Sequence, residues 1–111
     1  MIKYEVTLYV SKEIDTVFFQ WLKHHAAEML KYNGFISAKL YQQLECEDNN
    51  KVFVAYYELE TLEHLNDYLK NHAQAMREDG VQKFGDQFSA TRRVLALEEA
   101  LIAHTSVIEK Q

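Results

Sequence analysis

Two adjacent arginines, Arg92 and Arg93, lie inside the strand-like run SATRRVL at 89–95. Successive residues of a strand point to opposite faces, so one guanidinium serves each side of whatever sheet this run joins. The same alternation places Glu5 of the run YEVTLYV, Tyr41 and Tyr56 on the side of Arg93. A carboxylate, a guanidinium and two phenols on one face could orient a small aromatic or carboxylated molecule. Burial would raise the carboxyl pKa towards the range useful for proton abstraction, and a neighbouring arginine would oppose that shift, so the two effects compete. Glu5, Tyr41, Tyr56 and Arg93 are therefore the candidate ligand-binding residues. The plainer alternatives are a cross-strand Glu5–Arg93 ion pair and tyrosines that pack an interface, where large amphipathic rings are favoured. Arg92 faces the other way, with a stem that can lie along apolar surface and a head that could reach Glu28 or Asp79.

Other reactive residues form no recognisable constellation, and no catalytic residue is assigned. Five histidines raise the question of a metal, but His24 and His25 are consecutive, about 100° apart around a helix, and no HxxxH or CxxC spacing exists. The expectation is no metal and no cofactor. His25 and His72 fall on inward helix stripes, where they could meet each other or the sheet; His24 and His64 read as solvated. Ser37, Ser89 and the single cysteine, Cys46, have no base arranged beside them by sequence.

Residues 2–10 alternate Ile2, Tyr4, Val6, Leu8 and Val10 against Lys3, Glu5, Thr7 and Tyr9, the period of a first strand. Ser11 and the acids Glu13 and Asp15 suit a helix start, and Ile14, Val17, Phe18, Trp21, Leu22, His25, Met29 and Tyr32 recur at helical spacing. That helix spans about 12–32 and ends at Asn33-Gly34, where a left-handed residue is expected. A second strand follows, with Ile36, Ala38, Leu40 and Leu44 on one side and Ser37, Lys39, Tyr41 and Gln43 on the other; after a turn at EDNNK a third strand takes 52–59. Thr61 with His64 is half a capping box for a second helix through Leu65, Tyr68, His72 and Met76, ending near Gly80, with VQKFGDQ as a bridging turn. The fourth strand is 88–95. The remaining tail keeps helical spacing through Leu97, Leu101, His104 and Ile108, which suits either a short helix or a frayed end.

The order strand, helix, strand, strand, helix, strand specifies an α+β, ferredoxin-like βαββαβ domain over 1–96, a four-stranded antiparallel sheet with two helices on one face, followed by a tail at 97–111. Its other face, bearing Lys3, Glu5, Thr7, Tyr9, Ser37, Lys39, Tyr41, Gln43, Val52, Val54, Tyr56, Glu58, Ser89, Thr91 and Arg93, is too apolar for plain solvent and too polar for a core. A second copy of the chain is its commonest partner, and two such sheets would enclose a cavity for a small molecule. With 12 basic against 17 acidic residues and a net charge of −5, nucleic acid and anionic membrane surfaces are excluded as main partners. Hydrophobic residues at 48% and charged residues at 26% rule out the composition of disorder. Apolar runs are too short for a membrane span or a secretion signal, and one cysteine agrees with a reducing compartment, so a cytoplasmic location is expected.

YEVTLYV, the Trp21–His24–His25 helix, YELETLEHLNDYLKNHA and above all MREDGVQKFGDQFSATRRVL together resemble a small bacterial family of unknown function. The resemblance covers residues 1–96. It implies the dimeric α/β-barrel group, which also holds cofactor-independent antibiotic-biosynthesis monooxygenases, stress-responsive barrels and muconolactone-isomerase-like proteins. It supports the fold and the homodimer and carries no catalytic assignment. Three functions follow: a homodimer binding a small molecule between its sheets, a cofactor-independent monooxygenase or isomerase, and a purely structural or protein-interaction module.

Overall fold

The computed structural model describes residues 1–45 and 50–103. Among them the elements are β1 (Ile2–Ser11), α1 (Asp15–Met29), β2 (Phe35–Gln42), β3 (Asn50–Leu59), α2 (Leu62–Asn71), α3 (Ala73–Phe84) and β4 (Phe88–Ala96), with single 3-10 turns at Lys12–Ile14 and Gly85–Gln87. All strand pairs are antiparallel, in the spatial order β2-β3-β1-β4. This is the expected ferredoxin-like α+β fold.

The even residues of β1, Tyr4, Val6, Leu8 and Val10, are buried under the helices beside Phe53, Ala55, Tyr57 and Leu59 of β3. Phe18, Leu22, Ala26 and Met29, one stripe of α1, close on them with Leu65 and Tyr68 of α2 and Ala73 of α3. Phe18 is fully buried, and its ring lies 5.0 Å from Phe84, 5.1 Å from Phe88 and 5.3 Å from Trp21, joining α1, α3 and β4 through aromatic contacts worth more than their area alone.

Local details depart from the pattern reading. The first helix opens as a 3-10 turn without a side-chain cap from Ser11, and its end tightens into three successive i→i+3 bonds, from the amides of Leu30, Lys31 and Tyr32. Gly34 has φ +85°, the left-handed conformation expected there. In β2 the register slips between Phe35 and Ser37, so Phe35 takes the core side opposite Leu59 and Ile36 is extruded to solvent, contrary to the simple alternation. Thr61 caps α2, its hydroxyl accepting from the His64 amide at 3.2 Å. The second helix is two: His72 (φ −130°, ψ −24°) breaks it, and α3 then runs past Gly80 through most of the segment expected as a turn. Gly80 ends nothing. A Cβ there would meet Trp21 Cη2 at 3.0 Å and Phe88 Cζ at 3.2 Å, so glycine lets the helix pass close to these rings, and the real stop is Gly85 at φ +58°. Residues 97–103 carry no regular structure; the rest of the tail, including His104 and Ile108, and the turn containing Cys46 lie outside the described residues.

Candidate functional site

Register brings the site together. Glu5, in the central strand β1, stands opposite Tyr56 of β3 on one side and Arg93 of β4 on the other, all on the face away from the helices. Arg93 grips both carboxylate oxygens, with Nε donating to Oε2 at 2.9 Å and Nη2 to Oε1 at 3.2 Å. The two ends of this pair differ sharply in exposure: Glu5 is 7% exposed, whereas the Arg93 side chain is 66% exposed. Arg93 is thus a lid over the carboxylate. Its bidentate grip holds the Glu5 carboxyl below the usual carboxylate range; burial pulls the other way, and a hydrogen bond with Tyr56 adds to the lowering. Burial and the Glu5 carboxylate together push the Tyr56 phenol up, and the hydrogen bonds and charge of Glu5 raise Arg93 further, against a small opposing effect of burial. At neutral pH the trio is therefore a carboxylate, a protonated phenol and a guanidinium. In the competition set out from sequence, hydrogen bonding beats desolvation, and Glu5 is a weak base.

Beside this trio the open face is hollowed into a groove of about 550 Å³, whose walls include Lys3, Ser37, Lys39, Tyr41, Tyr56 and Glu58, with Val54 at its floor. Tyr41 meets Tyr56 edge to face, centroids 5.5 Å apart at 76°, and Lys3 Nζ sits 5.0 Å above the Tyr56 ring. Of the four candidate residues, Tyr41 and Tyr56 line the groove. Glu5 and Arg93 lie next to it, Glu5 hydrogen-bonded to Tyr56 and held in turn by Arg93. The lysines and Glu58 were on the same face by alternation, but nothing in sequence marked them as wall rather than rim; the signal is that Lys3 pairs directly with Glu58 and Lys39 with Tyr56 across the strands. Val52, read as part of this open face, does sit there but is only 5% exposed.

The remaining candidates go elsewhere. Arg92 faces the helical layer as expected but reaches neither proposed acid: Glu28 is bonded to Lys31 at 2.8 Å, and Asp79 accepts from the Trp21 indole at 2.8 Å. Gly80, whose missing Cβ leaves room for the Trp21 ring, lets that side chain lie against α3, where it reaches Asp79. His25 and His72 find separate aromatic partners, His25 stacked on Trp21 and His72 on Tyr32, each at 4.5 Å. Burial lowers the His25 pKa, partly offset by Asp79. His64, read as solvated, packs against Gly34 and bonds Thr61 Oγ1 through Nδ1 at 2.7 Å. Among the described residues no three His, Cys, Asp or Glu side chains are placed to hold a metal, and no helix is long and apolar enough to cross a membrane.

Solved structures match this architecture at low sequence identity. A Deinococcus radiodurans protein provisionally named an antibiotic biosynthesis monooxygenase superposes with a TM-score of 0.74 at 16% identity, over 94% of this chain and 99% of its own. A dimeric ferredoxin-like protein from an uncultured marine organism gives 0.68 at 11% identity, covering 93% and 100%. SnoaB, a cofactor-independent oxygenase from Streptomyces nogalater, gives 0.62 at 12% identity, covering 90% and 95%. At these identities the likeness is one of fold. No curated protein matches the sequence. Residues 1–98 match a family described as a domain of unknown function, and the chain belongs to that family, DUF4286.

Proposed function

We propose that this protein is a cytoplasmic homodimer that binds a small molecule between two apposed sheets, with Glu5, Tyr41, Tyr56 and Arg93 at the binding face. The groove on the open sheet face carries the reading. It is too apolar along Val54, Tyr41 and Tyr56 to be left to solvent, and a second copy laid across it by a two-fold axis would turn an open trough into a closed chamber. Lysines and Glu58 within one wall are self-complementary, as an isologous contact requires. The dimeric state of the marine ferredoxin-like relative supports the assembly. In the chamber, the tyrosine faces would sandwich an aromatic or conjugated body, and the lysine ammoniums would favour an anionic substituent.

A second reading, a cofactor-independent monooxygenase or isomerase, draws on the fold shared with SnoaB. It ranks second because proton abstraction needs a base tuned upward, and Glu5 is tuned downward. The test is native purification with light scattering for the mass and mass spectrometry of the organic extract. Twice the chain mass of 13.1 kDa with a stoichiometric small molecule is the expected result. A monomer overturns the proposal, and a dimer that yields no ligand leaves the interface purely structural. Arg93→Ala divides the roles: a lost dimer makes Arg93 an interface residue, and an intact dimer without ligand makes it a binding residue.

A further inference from the structure

On the opposite side of the sheet, a second cavity of about 280 Å³ lies between the strands and the helices. Its inner wall is buried and apolar, with Leu22, Met29 and the ring of Tyr68, and its outer end carries Arg77 and Arg92. Arg77 donates from Nη2 to the Tyr4 hydroxyl at 3.1 Å. Arg92 is an exposed residue overall, yet its guanidinium neighbours Tyr4, Tyr68 and Arg77, where partial burial and the second guanidinium both oppose its charge. Among the described residues neither arginine makes an ion pair. The two acids that the sequence offered as partners of Arg92 are engaged elsewhere, Asp79 by Trp21 and Glu28 by Lys31. Two cations thus converge at the end of an apolar cavity with hydroxyls, and no carboxylate, between them.

We propose that this cavity binds a small apolar carboxylate, its ring or short chain against Met29 and Tyr68 and its anion between Arg77 and Arg92. Like charges held together are unfavourable unless an anion joins them, and a planar carboxylate matches the guanidinium fork with two parallel bonds. Size restricts the class further. The volume falls just below the usual ligand-pocket range of about 300–1,000 Å³ and above the roughly 150 Å³ that suffices for benzene, so it admits one ring with a short acidic arm. The sheet separates this cavity from the open-face groove, and neither site needs the other.

The test is a ¹⁵N NMR titration of the full chain with benzoate and phenylacetate, and with benzyl alcohol as the neutral isostere. Carboxylates should bind about tenfold or more tighter than the alcohol, the scale set by charge-assisted hydrogen bonds, and should shift amides near Met29 and Tyr68 rather than those at Lys39 and Tyr56. Arg92→Gln, on an edge strand where it disturbs no packing stripe, should weaken the carboxylates by a similar factor and leave the alcohol unchanged; Arg77→Gln should do the same. Equal affinity for acid and alcohol, shifts confined to the open face, unchanged carboxylate binding in a folded Arg92→Gln variant, or no saturable binding of either acid up to about 10 mM would each overturn the proposal.

Discussion

Gly34 joins α1 to β2, the strand that carries Lys39 and Tyr41 into the groove, and its replacement by alanine puts two separate physical terms on trial. The first is conformational: at φ +85° an L side chain is strained, which costs about 1–2 kcal/mol. The second is steric, because the new Cβ would overlap the Cβ and Cγ of His64. These atoms are near the root of the histidine side chain, and its ring is tied to Thr61 Oγ1 at 2.7 Å, so it cannot swing aside. Overpacking of this kind costs about 1–3 kcal/mol, giving about 2–5 kcal/mol in total for Gly34→Ala. In a domain of this size each kcal/mol lowers Tm by roughly 4–8 °C. Urea unfolding followed by circular dichroism measures the loss at unchanged m-value. Pairing the change with His64→Gly, which clears all the clashing atoms, should recover the steric share and leave the conformational one, a coupling of about 1–3 kcal/mol. A loss under about 1 kcal/mol for Gly34→Ala, or strict additivity in the cycle, would refute the reasoning.

Two pH effects follow from the titrating side chains. Glu5 has its folded pKa below the unfolded carboxylate value of 4.5, so its pairing contributes fully above that value and is lost as pH falls through the folded pKa; the stability difference between wild type and Glu5→Gln should shrink on acidification below about pH 4.5 and vanish at the acid end, as read by thermal melts across the range. His25 is a base whose folded pKa lies below its ordinary 6.5, so the unfolded chain takes up its proton first: stability should fall as pH drops below 6.5, and His25→Gln should flatten that slope, with an unaltered slope in the variant counting against a buried neutral imidazole.

The alternation of β1 and β4 was readable residue by residue, because each strand has one apolar parity, and that alone puts Glu5 and Arg93 on one face in adjacent strands. Their actual contact needed the register, which alternation does not supply. The boundary between α2 and α3 was hidden for a different reason: His72 is an unremarkable helix residue, and the break at it coincides with its stacking on Tyr32, a tertiary contact that no local pattern marks. Gly80 misled in the opposite direction. As a helix punctuator it suggested an end, yet its missing Cβ makes room for Trp21, a tertiary fact with no local trace. The same contact explains why Arg92 lacks the acidic partner that charge balance suggested, since Trp21 takes Asp79. The groove walls escaped notice because lysines on a sheet face look like ordinary solvated residues until their cross-strand neighbours are known.

The neighbouring arginines on β4 also bear on how the molecule keeps to itself. Among the described residues β4 ends the sheet, with no strand paired along its outer side and exposed Val94 and Leu95 close by. A foreign strand zipping onto that border would run past a guanidinium on either side, one of them already clasping Glu5, because consecutive positions project to either side. Guanidiniums on both surfaces of the last strand discourage runaway stacking end to end, while leaving the broad grooved side of the sheet untouched.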